Sequence, residues 1–160
     1  ESIAWLADNC HAPIFADPVS TVKAEKLRPV LGKLHTLKPN RLEAELLSGV
    51  PITGTDSLHR AAQTLLETGL HRVFISLGAD GVYAADQSGS VTLPAPKAEM
   101  VSTTGCGDSF MAALTWAYLQ GSDLERSARA GLAASSLTME SAETIHPSMS
   151  EAELLRRMAL

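Results

Sequence analysis

Apolar and polar positions change their spacing repeatedly along the chain, and each change marks an element. Ile3, Leu6 and Ala7 recur at helical intervals and predict a helix over residues 2–9. The compact run Pro13-Ile14-Phe15-Ala16-Asp17, closed by Pro18, reads as a buried strand. A helix with one charged face is expected over residues 22–31, followed by a strand at Leu34-His35-Thr36-Leu37-Lys38 that stops at Pro39-Asn40. Residues 41–48 return to helical spacing, with Gly49 as the stop, and Leu58, Ala61, Ala62, Leu65 and Leu66 form the stripe of a helix over 56–68. Arg72-Val73-Phe74-Ile75-Ser76-Leu77 is the clearest strand. A hairpin follows, with arms at 82–85 and 90–93 joined through Asp86-Gln87-Ser88-Gly89. Beyond Pro94-Ala95-Pro96 lie an apolar helix over 109–120, stopped by Gly121, and a second over about 124–138. Ser150 with Glu153 predicts a capping box opening a last short helix.

Strands alternating with helices imply an α/β layered fold with a mostly parallel sheet. A chain of 160 residues, 45% of them hydrophobic, suits a single domain over 1–160. Ligands of such sheets sit at the carboxyl ends of the strands, here Asp17, residues 38–40 and residues 76–81. The helix over 124–138 is rich in Ala, Gly and Ser, small residues that admit either a neighbouring helix or a flat ligand. Gly131 within it is therefore carried as a cofactor-binding candidate, with tight helix packing as the alternative.

Charge and cysteine content narrow the classes. A net charge of -5 gives no general attraction to nucleic acid or to an anionic membrane surface. Cys10 and Cys106 are far apart in a chain without a secretory pattern, so reduced thiols and a cytoplasmic location are expected. No apolar run reaches the roughly 18 residues that a spanning helix requires. His11, His35, His59, His71 and His146 lack metal-ligand spacing, and Trp5 and Trp116 fall on helical patterns as packing residues. The chain opens at Glu1, inside a helical pattern, and reads as a fragment of a larger fold.

The candidate chemistry lies in three segments. In Gly105-Cys106-Gly107-Asp108 the glycines let several N–H groups point one way, and the helix that follows adds the positive end of its dipole. That turn suits an anion, with Asp108 placed to take a proton from a hydroxyl; equally, Asp108 could cap the helix. Asn40 at a helix start and Glu43 one turn later share a face and could order water around magnesium near phosphates, or could serve as an N-cap and a solvated carboxylate. Ser76, Gly78 and Gly81 follow the clearest strand and either admit a nucleotide against the backbone or make an ordinary glycine turn. Neither a Walker pattern nor Gly-x-Gly-x-x-Gly is present.

Taken together and in this order, these segments resemble the carboxyl-terminal half of the ribokinase-like, or PfkB, carbohydrate kinases. The resemblance implies a layered α/β/α fold of which the amino-terminal half and the β lid are absent from this sequence. It implies Asp108 as catalytic base, Gly105, Cys106 and Gly107 as the anion hole, and Asn40 and Glu43 as the motif for Mg²⁺ and phosphate. Ser76, Gly78 and Gly81 match the nucleotide loop. ATP and a small sugar or nucleoside would be the partners, with a homodimer allowed. Phe15-Ala16-Asp17-Pro18-Val19-Ser20 and residues 35–45 resemble the branch acting on pseudouridine. Ser102 stands where many relatives have an aspartate tied to a monovalent-cation site, which leaves potassium activation open; Cys106 replaces the usual alanine, as a small side chain or as a reactive thiol. Another sugar specificity, or a truncated nucleotide-binding module without catalysis, are the competing readings.

Overall fold

The computed structural model describes residues 2–159. The chain, expected as one domain, divides into two compact units, Glu1–Gly78 with Tyr83–Thr92 and Ala79–Val82 with Leu93–Leu160.

The first unit is built on a five-stranded sheet in the order β1-β2-β3-β4-β5, comprising Phe15–Ala16, Thr36–Leu37, Arg72–Ser76, Val82–Asp86 and Gly89–Leu93. β1, β2 and β3 pair in parallel, with Phe15 opposite Thr36 and Thr36 opposite Arg72. The tight connection between β4 and β5 can only join antiparallel neighbours. β3 reads as an unbroken apolar run because both of its faces are covered: Val73, Phe74 and Ile75 are all buried. Helices α1 (Ser2–Asn9), α2 (Thr21–Ala24), α3 (Arg41–Ser48) and α4 (Thr55–Glu67) accompany the sheet. Leu58, Ala61, Ala62, Leu65 and Leu66, the predicted stripe of α4, pack with Leu37, Val73 and Ile75 in one core.

Two sequence expectations change here. The helix predicted over 22–31 is α only as far as Ala24, and Glu25–Lys33 is a 3₁₀ segment containing Pro29. Proline has no N–H for the Glu25 carbonyl and its ring crowds that oxygen, so the α pattern cannot run through it. Trp5, expected in packing, is 66% exposed on α1. The histidines hold no metal-type cluster among the described residues. His35 instead stacks between Phe15 and His71, while His59 Nδ1 lies 2.7 Å from the Tyr83 hydroxyl.

The second unit is helical, with α5 (Cys106–Leu119), α6 (Leu124–Met139) and α7 (Glu151–Met158). Ala113 and Ala117 of α5 meet Ala130, Ala133 and Ala134 of α6, and Leu154 of α7 closes the cluster. Ser109 and Thr138 join α5 to α6 by a 2.6 Å hydroxyl contact. At α7 the Ser150 hydroxyl accepts from Glu153 N, as predicted, but the reciprocal bond of the capping box does not form. Arg156 and Arg157 take the Glu153 carboxylate instead and hold its pKa down at about 2, mainly through hydrogen bonding. Arg157 also donates to Glu140 at the end of α6, which ties α7 to that helix. No helix among the described residues is long and apolar enough to cross a membrane.

Candidate active site

The carboxyl edge of the parallel strands is assembled by backbone contacts. Asn40 follows β2 and forms an isolated parallel bridge with Ser76 at the end of β3, where Ser76 N donates to Pro39 O at 2.9 Å. Asn40 is also the N-cap of α3. Its Oδ1 accepts from Glu43 N at 3.0 Å, and Asn40 N donates to Glu43 Oε2 at 2.8 Å. This is a complete capping box, which satisfies two of the donors that a helix start otherwise leaves bare. Glu43 was open to a reading as a solvated carboxylate; it is 3% exposed. The box uses Oε2, and Oε1 takes no part in it.

The chemistry of this donor set bears on a metal. A single buried carboxylate beside an amide cannot enclose a divalent cation, and no larger acidic or histidine cluster occurs among the described residues. It can anchor a water on Mg²⁺, which keeps several of its waters when bound to phosphates. The residues present fit a metal held in that way.

Gly78 adopts φ +64° at the start of a 3₁₀ turn, Gly78–Asp80, and a side chain there would meet nothing within 4 Å. That backbone is open to approach. Gly81 differs: at φ +97° it is buried, and a Cβ would strike Leu93 O and lie 2.6 Å from Ala95 N. Its lack of a side chain already has a packing reason. Gly131 is similar, since a Cβ there would fall within 2.6 Å of Phe110 Cδ1. The aromatic ring of α5 occupies the space opened in α6.

In the second unit Gly105 takes the N-cap position at φ +83°, where the close backbone of Thr144 leaves no room for a side chain. This left-handed glycine lets the helix begin at Cys106, earlier than the predicted 109. Asp108 therefore lies in the first turn rather than at the cap. Cys106 N–H is taken by Thr103 O at 3.3 Å, whereas the Gly107 and Asp108 amides have no partner among the described residues. Those two amides, with the helix dipole behind them, form the anion-attracting end. The exposed Asp108 side chain borders a cavity of about 530 Å³ whose other walls include Ala112, Trp116, Ile145 and Met149. Cys106 Sγ points back to Ser102 O at 3.8 Å. Burial pushes its thiol pKa up, more than the Ser135 hydrogen bond lowers it, so the helix start does not make it a reactive thiolate.

Sequence reading treated Lys38 only as a strand end. It is 6% exposed, and its Nζ lies 2.8 Å from Asp17 Oδ2. A lysine continuing an apolar strand run was the available signal. Asp17 serves the turn as well, accepting from Val19 N at 2.9 Å.

Parallel strands with polar side chains at their carboxyl edge, accompanied by a glycine-led helix start that carries an exposed aspartate, define a ribokinase-like α/β protein. The chain matches the pfkB family carbohydrate kinase description over residues 1–152 and belongs to that family. It is 40% identical to the pseudouridine kinase of Escherichia coli over 97% of this chain and 50% of that protein. A crystal structure designated a sugar kinase from Clostridium perfringens superimposes with a TM-score of 0.94 at 36% identity, over 99% of this chain and 51% of the other. Ribokinase from Thermotoga maritima gives 0.84 at 25% identity, over 100% and 53%. The chain thus spans about half the length of these relatives.

Proposed function

We propose that residues 1–160 are the carboxyl-terminal portion of one kinase domain that transfers the γ-phosphoryl group of ATP to a hydroxyl of a sugar or nucleoside. The observation that carries the reading is the first turn of α5, where an exposed carboxylate and two unpartnered amides share one helix start. Asp108 accepts the proton of the attacking hydroxyl, and the Gly107 and Asp108 amides stabilise charge on the transferring group. Gly105 makes this geometry accessible, and Cys106 contributes a small, neutral side chain. In the first unit Asn40, Ser76 and Gly78 face the nucleotide, with Gly81 shaping the end of that loop. Glu43 and Asn40 orient water on Mg²⁺, which when bound neutralises phosphate charge. Pseudouridine is the favoured acceptor, supported by the 40% identity to a pseudouridine kinase. The cytoplasm is the expected compartment.

In the intact protein, Asp108→Asn should lower turnover by roughly 10²- to 10⁴-fold, the usual contribution of a positioned general base, and leave ATP affinity nearly unchanged. Near-normal turnover would refute the assignment. ADP release measured across pseudouridine, ribose, fructose and adenosine should give the highest kcat/KM for pseudouridine; a higher value for another acceptor moves the specificity there. ATP binding without turnover on any acceptor would favour the non-catalytic module.

A further inference from the structure

The helix that carries the anion turn packs on a smooth partner. Ala113 and Ala117 of α5 meet Ala130, Ala133 and Ala134 of α6, and side chains of one methyl group raise only shallow ridges. Such a surface lets two helices approach closely but resists little when one slides along the other. At the amino end of α5 two contacts supply what the alanines lack. The Phe110 ring fills the gap left by Gly131, and Ser109 Oγ lies 2.6 Å from Thr138 Oγ1. Thr138 is fully buried, at 0% exposure, where a valine would occupy nearly the same volume without a polar atom to desolvate. A neutral hydroxyl pair returns little net stability, because both groups bond to water in the unfolded chain. What it adds is direction, which an apolar contact cannot provide.

The place of this pair in the chain gives that direction a use. Ser109 N donates to Gly105 O at 2.9 Å, so the first helical ring of α5 encloses Cys106, Gly107 and Asp108. The Ser109 side chain then joins the end of that ring to the last turn of α6. The next residue of α6 holds the other side: Met139 O accepts from Val101 N at 3.0 Å and from Ser102 N at 3.1 Å. Adjacent positions of one helix thus grip both the segment that leads into the anion turn and the residue that closes it. Neither contact has a part in the roles assigned above.

We propose that Thr138 is a positioning residue for phosphoryl transfer, acting through Ser109 to hold the first turn of α5 in the orientation that the transition state requires. It touches no reacting atom. Its hydroxyl fixes Ser109, and Ser109 fixes the backbone on which the Gly107 and Asp108 amides and the Asp108 carboxylate are mounted. Without that hydroxyl the helix still packs, through its alanines and Phe110, but its first turn is free to rock. Misalignment of this kind weakens interactions made in the transition state more than it weakens binding of the ground state. This inference rests on the kinase reading, because the misalignment is read out in phosphoryl transfer.

Steady-state kinetics of the intact protein, with hydrogen exchange resolved by residue, tests the proposal. Thr138→Val should lower kcat about tenfold and leave KM for ATP and for the acceptor within about twofold, while Thr138→Ser, which restores the hydroxyl, should return kcat to near the parent value. Ser109→Ala should show the same loss, and the Ser109→Ala/Thr138→Val double variant no further one, since the two groups act as a unit. In Thr138→Val the Ser109 amide should exchange about tenfold faster, with amides in the middle of α5 at parental rates. A purely structural contact gives a different pattern, in which exchange rises along the whole of α5 and α6 and kcat stays at the parent value. If Thr138→Val does not fold, Ser109→Ala, at the half-buried partner, carries the same expectations. Parental kcat in a folded variant, or losses that multiply in the double variant, overturns the positioning role and leaves the kinase reading intact. A parent protein that binds ATP and phosphorylates no acceptor removes both.

Discussion

Glu43 is assigned two tasks through its two oxygens, and one pair of substitutions separates them. Oε2 closes the capping box on Asn40 N at 2.8 Å, whereas the proposed contact to a metal-bound water falls to Oε1. Glu43→Ala removes a charge-assisted hydrogen bond at a site only 3% exposed. Such a bond contributes about 1.5–3 kcal/mol, and the loss is moderated because the exposed Asn40 can turn its amide to water; a cost of about 1–2 kcal/mol follows. With a urea slope of about 2 kcal/mol/M, the unfolding midpoint should fall by roughly 0.5–1 M. Glu43→Gln keeps an acceptor of the same reach and loses only the charge, which roughly halves the strength of the bond, so about half that shift is expected. Glu43→Gln should reduce the affinity for MgATP about tenfold and leave affinity for metal-free ATP unchanged, since a neutral amide holds a metal-bound water poorly. The assays are urea unfolding followed by far-UV circular dichroism, and calorimetric titration with and without Mg²⁺. Equal destabilisation by Gln and Ala would defeat the capping account. Unchanged MgATP affinity in Glu43→Gln would defeat the metal role.

Two further outcomes are expected. Gly32→Ala places a Cβ against Thr68 O and 3.2 Å from Thr68 C, both backbone atoms that cannot rotate away, and should cost about 3 kcal/mol. Gly54→Ala, with open space around it, should cost less than about 1 kcal/mol, and hydrogen exchange in α4 and β3 reports both; a Gly32→Ala protein as protected as the parent contradicts the close approach. The second concerns pH. Burial, then the charges of His71 and Arg72, lower the His35 pKa below 6.5, and Asp86 pairs with Arg72 from the neighbouring strand. The folded state thus favours neutral His35, and its contribution is present above pH 6.5 and lost as pH falls through that value toward the lower folded pKa. The urea midpoint should drop between pH 7.5 and 5.5, with a smaller drop in His35→Gln; an equal drop in both proteins assigns the effect elsewhere.

Much of the fold was legible because it rests on local rules. The period of Leu58, Ala61, Ala62, Leu65 and Leu66 dictates a helix with one buried face, and the unbroken run at Val73-Phe74-Ile75 dictates a strand covered on both sides. Asn40 with Glu43 and Gly105 before Asp108 announced helix starts, because the chemistry of a cap lies within a few residues. The sequence also placed Asn40, Glu43, Ser76 and Asp108 as candidates, and their local settings suit the roles proposed. Other features depended on chain segments far apart in sequence. Only the packed structure shows that Gly32 meets Thr68, that Gly131 makes room for Phe110, and that Gly81 lies against Leu93–Ala95. Spacing carries no information about which remote backbone will occupy the volume of a missing Cβ. The partner of Lys38 was hidden for the same reason: 21 positions of chain separate it from Asp17, and strand register alone brings the charges to 2.8 Å. Periodicity and turn chemistry determined which elements form and where their polar ends lie. Tertiary packing decided which of those ends are buried, which amides stay free, and which charges hold one another.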